Sequence, residues 1–453
     1  MNAAAGRLLF DVSSLARWTG TPVGIPRVEH ELAGYAFAHP DAITLIVFDP
    51  RIGCFRALRR EWAALTLGWS ATIDTIALER PMRPANRGRL SRYPLLIALE
   101  QRRLTTNHAA LARAIGAAQR VLLAPRPGPP FLDAGGKRSA VVPLELALGP
   151  PIAVGAGDTI ATAGYDWFYK DVDTIAAAKR QSRFRYATMC YDLIPLQFPQ
   201  FFPPADVARF RDYWARTLPL ADTVICNSRR VRDDLTWHCQ AAELQPPNIA
   251  VVPLGYRPFA TAELPALPNG LTSGRYILFV STIEPRKGHG LLLEAWRRLL
   301  TAGVPQRRGF TLVFAGRLGW GVEEVRRQLA DARGFHGTLR HFDQLDDAAL
   351  AALYRGAAFC LYPSHYEGFG LPVIEAFAQG KATIVSTGGA LPETVGALSP
   401  CLDPTDAAAW HSTIAHWIEQ PTARRVYEER IRASFTHPTW EQAAARFFVA
   451  ASA

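Results

Sequence analysis

Apolar and polar positions alternate along the chain in segments that predict strands and helices in turn. The run at 7–12 predicts a short strand, and apolar residues at Val28, Leu32, Tyr35 and Phe37 recur at roughly helical spacing. Six later apolar runs predict further strands, at 43–48, 120–125, 140–144, 186–193, 222–228 and 248–254. Because stretches of helical character separate several of these runs, we expect a parallel sheet with crossover helices.

Beyond residue 274 the alternation of strand and helix becomes regular. Apolar runs predict five strands, at 275–281, 310–316, 339–343, 359–364 and 382–387. Helical patterns lie between them, at 291–300, 323–332, 347–355 and from about Pro372 onward. Two terminal helices are predicted at 405–420 and 439–451. This order predicts a second α/β domain with a doubly wound sheet.

A segment rich in Pro, Gly and small polar residues, at 256–274, is the best candidate for a linker. At 453 residues the chain is too long for one ordinary core, so two large domains or three smaller ones are expected, and two is the working number. We divide the chain into a first domain, a linker, a second domain and a terminal helix, at 1–258, 259–274, 275–430 and 431–453. Packing of the terminal helix back on the first domain is left open.

The composition, with 49% hydrophobic and 20% charged residues, is typical of a folded chain. The formal net charge of +10 implies an anionic partner but leaves phosphates, anionic lipid and nucleic acid open. Five arginines lie in one Pro- and Gly-containing stretch, at Arg80, Arg83, Arg87, Arg89 and Arg92. With the amphipathic sequence that follows as far as residue 103, this stretch suits an anionic membrane surface, and an ordinary solvated loop suits it about equally.

Neither a membrane span nor a secretory signal is predicted. The chain contains no run of 18 or more apolar residues, and its first residues lack a basic start and a long apolar segment, so a cytoplasmic protein is expected. The six cysteines have neither C-x-x-C nor Cys/His spacing, which favours reduced core thiols over a disulfide framework or a zinc site.

Candidate chemistry is concentrated in loops that follow predicted strands, because ligands of open α/β sheets bind outside the carboxyl ends of the strands. Arg286 and Lys287 follow a strand that ends at Val280 and stand just before a glycine and a helix. Two cations at such a position would hold a phosphate. For a bare Arg-Lys pair, however, a surface salt-bridge cluster with Glu284 is the more common arrangement. The Gly-rich loop at 314–321 is a weaker candidate, because its glycines also suit ordinary turns.

A second group of candidates surrounds the start of the helix predicted after residue 371. Gly368 and Gly370 flank Phe369 in the preceding loop. Glu367 and Glu375, eight residues apart, come to this helix mouth together with free backbone N–H groups. A ligand with both hydroxyls and phosphate would use all of them, because carboxylates accept from hydroxyls and N–H groups meet an anion. Taken singly, Glu375 also fits an acid placed favourably in the helix dipole.

Four motifs together carry a family resemblance: EPRKG, AGR, EGFGLPVIEA and STGGALPETVG, at 284–288, 315–317, 367–376 and 386–396. This combination closely resembles the retaining GT-B glycosyltransferases of family 4, also called glycosyl transferases group 1. The resemblance is strong from about 276 to 403 and includes the family's E-x7-E pair as Glu367 and Glu375. Weaker matches precede it, at 24–28, 191–199, 225–235 and 251–256. In general likeness the chain is similar to mannosyl- and deoxyhexosyltransferases of bacterial surface polysaccharide synthesis.

The resemblance implies a GT-B fold, in which two Rossmann-like doubly wound domains face each other across a cleft. In this family a nucleotide-sugar donor binds mainly to the second domain, and the acceptor meets it from the first. Transfer would retain the anomeric configuration without a covalent enzyme intermediate, and the departing phosphate oxygen would take the acceptor proton. Because Arg286 and Lys287 would stabilise the leaving diphosphate, no metal and no other cofactor is expected.

The same resemblance assigns roles to individual residues. Glu367 would bind hydroxyls of the transferred sugar, and Glu375 would hold the nucleotide ribose. The donor site would further include Gly316, Arg317, Gly368, Phe369, Gly370 and Leu371. In the first domain, Gly24 would let the backbone approach the donor phosphates or the acceptor, with Arg27 assisting.

Asp192 is an acceptor-side candidate with a departure from the family pattern. Many relatives have His directly before this Asp, whereas here the residue is Tyr191. Asp192 therefore either orients the acceptor or caps the loop that follows, and both alternatives are equally open.

The preferred donor is GDP-mannose, with a UDP-sugar nearly as well supported, and the acceptor is a saccharide or lipid-linked saccharide. An anionic membrane surface, on the inner face of the cell membrane, is a further candidate partner. A glycoside hydrolase also uses paired carboxylates but needs no diphosphate cradle. A non-catalytic basic binding protein is the remaining alternative, but the chain lacks RNP-type aromatic and basic motifs, so no nucleic-acid partner is expected.

Overall fold

The computed structural model describes fourteen stretches of the chain: 6–18, 23–49, 52–67, 71–73, 102, 110–111, 114–115, 118, 140–142, 147–257, 265–268, 270–331, 334–343 and 345–453. Among these residues no helix is long and apolar enough to cross a lipid bilayer. The strand predicted at 120–125, the five arginines between 80 and 92 and part of the predicted linker lie outside the described residues.

The described strands are numbered in chain order. They are β1 Leu8–Asp11, β2 Ile43–Asp49, β3 Cys54–Leu58, β4 Ala71–Ile73, β5 Ala140–Val142, β6 Leu148–Pro151, β7 Thr159–Thr162, β8 Arg185–Cys190, β9 Thr223–Cys226, β10 Asn248–Val251, β11 Tyr276–Val280, β12 Thr311–Ala315, β13 Leu339–Phe342, β14 Phe359–Tyr362, β15 Thr383–Ser386 and β16 Cys401–Leu402. They form an eight-stranded sheet in the order β10-β9-β8-β7-β1-β2-β3-β6, a six-stranded sheet in the order β13-β12-β11-β14-β15-β16, and the pair β4-β5.

The six-stranded sheet is parallel in each of its five pairings. Its first five strands coincide with the five predicted beyond residue 274, and β16 was not predicted. Because all its strands run the same way, their carboxyl ends lie at one edge. The loops that carry Arg286 and Glu367 leave from that edge.

The eight-stranded sheet is mixed, which corrects the expectation of a parallel sheet. β1 pairs in parallel with β2 and β7, but β3 runs antiparallel to both β2 and β6. Only residues 50–53 separate β2 from β3, too few for the crossover connection that a parallel pair requires. The sequence patterns also missed β3, β6 and β7 of this sheet, whose short runs include small, polar or proline residues.

The helices accompany the strands as expected. Their bounds are Ile25–Ala38, Arg60–Leu67, Asp166–Tyr169, Val172–Ser182, Ile194–Gln197, Pro204–Thr217, Arg229–Ala241, His289–Thr301, Val304–Arg308, Glu323–Ala330, Asp347–Gly356, Leu371–Ala378, Leu391–Val395, Ala407–Glu419, Pro421–Ser434 and Trp440–Ser452. Several begin at a side-chain cap that accepts from the N–H three residues on, at Asp171, Ser228, Asp346 and Asp406. The helices predicted at 291–300, 323–332 and 347–355 are confirmed to within two residues at each end.

The chain divides into two compact units. The first comprises Met1–Met189, Tyr213–Val224 and Phe447–Ala453, and the second comprises Cys190–Asp212 and Ile225–Arg446. The predicted domain limits at 258, 274 and 430 stay a prediction.

Each unit has its own core. In the first unit, Phe10 of β1 packs edge-on against Phe447 and Phe448, with ring centroids 6.0 and 5.2 Å apart. In the second unit, Trp296 and Trp410 are fully buried in a cluster that covers one face of the parallel sheet. Four of the six cysteines are buried, and Cys54 and Cys401 are partly exposed.

Candidate functional site

The loops that follow β11 and β14 carry the predicted cations and the first glutamate. β11 and β14 are neighbouring parallel strands, so both loops leave the same edge of the sheet. The first loop makes a single 3₁₀ turn at Pro285–Lys287 and leads into the helix His289–Thr301. The second loop leads into the helix Leu371–Ala378. Topology therefore brings together two segments that are about 80 residues apart in the chain.

Arg286 and Lys287 both bind the carboxylate of Glu367. Lys287 Nζ donates to Glu367 Oε1 at 2.5 Å, and Arg286 Nη1 donates to Glu367 Oε2 at 3.1 Å. Arg286 Nη2 also lies 2.8 Å from Glu284 Oε1, and Nη1 donates to the Tyr366 carbonyl at 2.9 Å. The salt bridge to Glu284 that the sequence suggested is therefore present. It belongs to a largely buried cluster, not to the surface, since the Glu284 side chain is only 5% exposed.

Glu367 is an ionised carboxylate at neutral pH. Burial alone would raise its pKa, but the charges of Lys287 and Arg286 outweigh burial and lower the pKa of Glu367 to about 2. Burial alone would lower the pKa of Arg286, but Glu367, Glu284 and Asp192 raise it. Glu367 can therefore accept hydrogen bonds but has no proton to donate.

Asp192 belongs to the same electrostatic neighbourhood. Burial raises the pKa of Asp192, and the charge of Arg286 is the largest influence that opposes it. The backbone N–H of Ile194 donates to Asp192 Oδ1 at 3.1 Å, and a short helix, Ile194–Gln197, begins there. Through this contact the Asp192 side chain caps the loop that follows it, as one of the two alternatives for Asp192 requires. A role toward an acceptor stays a prediction.

The loop before the helix Leu371–Ala378 is held by close backbone contacts. A Cβ atom at Gly368 would lie 2.0 Å from the carbonyl oxygen of Tyr191, so only glycine allows this approach. Ser228 Oγ donates to the Gly368 carbonyl at 2.8 Å, and Asn227 Nδ2 donates to the Tyr191 carbonyl at 3.0 Å. These contacts fix the backbone next to Glu367.

The helix Leu371–Ala378 begins directly after Gly370 and carries the second predicted glutamate on its buried side. Glu375 is 6% exposed, and Tyr354 Oη donates to Glu375 Oε2 at 3.1 Å. Phe369, in the loop, is also buried. Glu375 thus has a structural partner, and its predicted role toward a ribose remains untested.

The Gly-rich loop after β12 also approaches the first loop. A Cβ atom at Gly316 would lie 2.0 Å from the Ser281 carbonyl oxygen, and Ile283 N–H donates to the Arg317 carbonyl at 2.8 Å. The side chain of Arg317 is exposed. Of the predicted donor residues, those at 316–317, 367–371 and 375 thus belong to the second unit with the cations.

Gly24 and Arg27 lie in the first unit. Gly24 stands immediately before the helix Ile25–Ala38, and Arg27 is half-buried in its first turn. Two residues after Arg27, Glu29 is fully buried and accepts a hydrogen bond from Ser14 Oγ. Burial raises the pKa of Glu29 to about 8; the Ser14 hydrogen bond opposes this, and the charges of Asp166 and Asp11 add to it. The predicted roles of Gly24 and Arg27 toward a donor or acceptor stay predictions.

Sequence patterns missed a polar group that braces the residue before Glu367. Arg230 Nε donates to Tyr366 Oη at 2.7 Å, and Tyr366 Oη donates to Asp234 Oδ2. Arg230 and Asp234 also form an ion pair at 3.0 Å across one turn of their helix. The only sequence signal was the Arg-Asp spacing of four residues, which is common on helix surfaces.

Comparison with known proteins agrees with this geometry. Residues 268–434 match the family model for glycosyl transferases group 1. Among curated proteins, the chain is 34% identical over 188 residues to the O-antigen chain mannosyltransferase B of Escherichia coli, covering 41% of this chain and 48% of that relative. It is 30% identical over 207 residues to the MMP alpha-(1->4)-mannosyltransferase of Mycolicibacterium hassiacum, covering 45% of this chain and 48% of that relative. The chain thus spans about half the length of these relatives.

Solved structures match nearly the whole chain at low identity. The sucrose-phosphate synthase of Thermosynechococcus elongatus superposes with a TM-score of 0.55 at 18% identity, covering 97% of each chain. HepE of Anabaena superposes with a TM-score of 0.53 at 17% identity, covering 99% of this chain and 97% of that one. At such identities the likeness shows the fold alone. The fold is GT-B, and the segment 268–434 matches the family model for glycosyl transferases group 1.

Proposed function

We propose that this protein is a retaining, metal-independent glycosyltransferase. It would move a hexose or deoxyhexose from a nucleoside-diphosphate sugar to a saccharide or lipid-linked saccharide in surface polysaccharide synthesis. The family match over 268–434 and the names of the matched mannosyltransferases support this proposal. The observation that carries it is the buried cluster in which Arg286 and Lys287 bind Glu367 at the carboxyl edge of a parallel sheet.

The cluster provides the charges that glycosyl transfer from a diphosphate requires. Negative charge grows on the diphosphate as the glycosidic bond breaks, and two fixed cations stabilise it without reorganising. Arg286 and Lys287 are held in place beforehand by Glu367 and Glu284. In this proposal the departing phosphate oxygen takes the acceptor proton, and the cations do what a divalent metal does in other enzymes.

Glu367 would orient the transferred sugar. Its pKa of about 2 leaves it ionised, so it accepts hydrogen bonds from sugar hydroxyls and cannot serve as a general acid at neutral pH. That property disfavours a glycoside hydrolase, in which one carboxylic acid must protonate the leaving group. Glu375 would hold the ribose, and the backbone at 316–317 and 368–371 would line the donor. Gly24 and Arg27 would act from the first unit.

The preferred donor is GDP-mannose, because both relatives described above are named mannosyltransferases. A UDP-sugar is the alternative, since the solved structure of HepE carries UDP and glucose. Attachment to an anionic membrane surface through the arginines between 80 and 92, at the cytoplasmic side, is part of the proposal and is tested separately by flotation with anionic liposomes.

A thermal-shift panel tests the function. Wild-type protein is heated with GDP, UDP, ADP, dTDP and their common sugar conjugates, each with EDTA and with Mg²⁺. A ligand at ~100 times its dissociation constant stabilises the fold by about 2.7 kcal/mol. We expect one base series to shift the melting temperature equally with and without Mg²⁺, and Arg286→Ala/Lys287→Ala to abolish the shift.

Two further variants make the panel interpretable. Lys287→Met/Glu367→Gln removes one cation together with its carboxylate, so it avoids a buried unpaired charge and should fold while binding nucleotide more weakly. Arg307→Ala/Arg308→Ala removes an exposed adjacent arginine pair and should keep the full shift. If no nucleotide shifts the wild type, and polynucleotide binding falls steeply with salt, the protein is a non-catalytic basic binding protein.

A further inference from the structure

A row of aromatic side chains leads away from the Arg286, Lys287 and Glu367 cluster. Phe198, Phe201, Phe202 and Trp320 form this aromatic row. The ring of Phe198 lies 5.2 Å from that of Tyr366, the residue before Glu367, and 6.1 Å from that of Phe201. At the far end the rings of Phe202 and Trp320 are 5.8 Å apart. The aromatic row therefore begins at the ring of Tyr366, the residue that directly precedes the candidate catalytic Glu367.

Two tight turns hold the three phenylalanines in place. The helix Ile194–Gln197 is followed at once by the 3₁₀ turn Pro199–Phe201. The backbone N–H groups of Phe198, Phe201 and Phe202 each donate within these turns, at 2.8 to 3.1 Å. Because the prolines restrict the backbone and the turns satisfy its donors, the three rings project from a rigid segment.

Trp320 presents its ring and not its N–H group. The indole Nε1–H donates to the Phe201 carbonyl at 2.8 Å, which also ties the Gly-rich loop after β12 to the turn. The Trp320 side chain is nevertheless 40% exposed, and Leu318 in the same loop is 37% exposed. The three phenylalanines are partly exposed as well. What this surface offers a ligand is apolar ring faces.

The charge of this surface selects among ligand classes. Residues 193–205 contain no Asp, Glu, Lys or Arg, although the chain as a whole carries a net charge of +10. An uncharged segment of this kind does not attract nucleic acid or anionic lipid, although the loop that carries Trp320 also carries the exposed side chain of Arg317. Apolar ring faces that lead to convergent carboxylates suit a neutral ligand with both C–H and O–H groups. A saccharide has that character, since its C–H faces cover aromatic rings and its hydroxyls donate to carboxylates.

We propose that the aromatic row is the binding subsite for the acceptor's saccharide chain. The acceptor's terminal sugar would lie beside the transferred sugar that Glu367 orients, and the preceding sugars would lie on Phe198, Phe201, Phe202 and Trp320. This inference rests on the proposed transferase function. It assigns acceptor recognition to residues outside the four motifs that carry the family resemblance. The competing occupant is a neutral membrane interface, into which exposed aromatic side chains also insert.

The experiment measures saccharide and nucleotide binding on the same samples. α-Linked mannose mono-, di-, tri- and tetrasaccharides are titrated into protein saturated with GDP or UDP, and affinity is read by calorimetry. Thermal shift with the nucleotide alone is recorded in parallel. For wild type we expect affinity to increase with chain length as more rings are covered.

Three variants separate stacking from folding. Trp320→Ala should weaken tetrasaccharide binding by about tenfold or more while the nucleotide shift stays at the wild-type value. Trp320→Phe keeps a ring face but loses the hydrogen bond to Phe201, so it should retain most of the saccharide affinity. Trp237→Ala removes a tryptophan that is 63% exposed and lies outside the aromatic row, and it should bind like wild type.

The outcomes are distinguishable. If nucleotide shifts the melting temperature of the wild type, but Trp320→Ala and Phe202→Ala leave saccharide binding unchanged, the subsite is overturned while the transferase proposal stands. A wild type that binds nucleotide but none of the saccharides overturns it as well. If Trp320→Ala instead abolishes flotation with phosphatidylcholine vesicles and spares saccharide binding, the aromatic row is a membrane contact. If nucleotides never shift the wild type, the proposed function itself fails first.

Discussion

Two buried charge clusters, one in each unit, differ in how their charges balance. In the second unit, two cations, Arg286 and Lys287, contact two carboxylates, Glu284 and Glu367, and Asp192 is a third acid close by. In the first unit one cation, Lys170, lies 2.9 Å from both Asp11 and Asp166, and Glu29 is a third buried acid close by. Both clusters lie at the carboxyl ends of parallel strands, so topology alone does not distinguish them.

The two clusters differ in the pKa of their carboxyl groups. Where two cations contact one carboxylate, the pKa of Glu367 falls to about 2, and the carboxylate stays charged despite burial. Where acids outnumber the cation, burial and neighbouring acids raise the pKa of Glu29 to about 8, so this carboxyl group keeps its proton at neutral pH. The second cluster is matched in that its two cations face two contacting carboxylates, which hold both cations in place before a ligand binds, and this suits a binding site. The unmatched cluster is held together by one lysine.

The largest effect is expected from removing that lysine. Lys170→Ala leaves Asp11 and Asp166 buried without a cation and should reduce the free energy of unfolding by about 3 to 5 kcal/mol. Urea unfolding monitored by tryptophan fluorescence measures it. The matched control is Lys179→Ala, which breaks a partly exposed pair with Asp222 and should cost about 1 kcal/mol or less. Equal costs for the two variants would show that the first cluster is not desolvated.

The next effect is a pH dependence with a defined sign. Glu29 has a pKa near 8 in the fold against 4.5 as its usual value, so the folded state binds more protons than the unfolded state between these pH values. Stability contributed by this group is therefore lost as pH rises from about 4.5 to 8, with a slope of at most about 1.4 kcal/mol per pH unit.

Glu29→Gln isolates that contribution, because glutamine keeps the shape and the hydrogen-bonding capacity without the charge. The free energy of unfolding of wild type minus that of the variant should fall steadily between pH 5 and 8. A constant difference over this range would mean that Glu29 is already ionised and that the first cluster is balanced by groups outside it.

Sequence reasoning singled out residues of the matched cluster, although not the pairing of both cations with Glu367, and it singled out none of the charged residues of the unmatched one. Arg286, Lys287 and Glu367 stand in loops directly after apolar runs, and the eight-residue spacing of Glu367 and Glu375 is a local signal. The contacts of Lys170, in contrast, join a helix end to β1 across more than 150 residues, and no local pattern encodes such a pairing. The same holds for Trp320 and Phe201, which are 119 residues apart.

The fold shows the same division. The first five strands of the six-stranded sheet were predicted because each is a compact apolar run between glycines or helices. β7, with the sequence TIAT, contains two threonines and an alanine and gives no such signal. The antiparallel course of β3 depends on the short connection at 50–53 and on its pairing partners, which only the assembled sheet determines.

A double-mutant cycle on Lys287 and Glu367 tests whether the matched cluster is balanced pair by pair. Lys287→Met alone leaves Glu367 with Arg286 only, and Glu367→Gln alone leaves two cations facing one acid. The double variant should lose less unfolding free energy than the two single variants lose in sum, and the difference, the coupling energy, should be about 1 to 3 kcal/mol. Coupling below about 0.5 kcal/mol would mean that Arg286 and Glu284 hold the cluster without Lys287.

The smallest effect concerns the acid side of the pH range, where the second unit should be the sensitive one. His289 begins the helix after Lys287 and is buried between the rings of Phe279 and Phe314, at 4.5 and 4.9 Å. Burial, with a smaller contribution from Lys287, lowers the pKa of His289 to about 3 from the usual 6.5. The folded state therefore binds fewer protons than the unfolded state between these values, and stability is lost as pH falls below 6.5.

His289→Leu should remove this loss, so the free energy of unfolding of wild type should drop relative to that of the variant by about 1 to 2 kcal/mol between pH 6.5 and 5. A variant that follows the wild-type curve at a constant offset would show that His289 titrates as an exposed histidine. The expected pattern is that the first unit loses stability as pH rises, through Glu29, and that the second unit loses stability as pH falls, through His289. A constant offset would contradict the second half of this pattern.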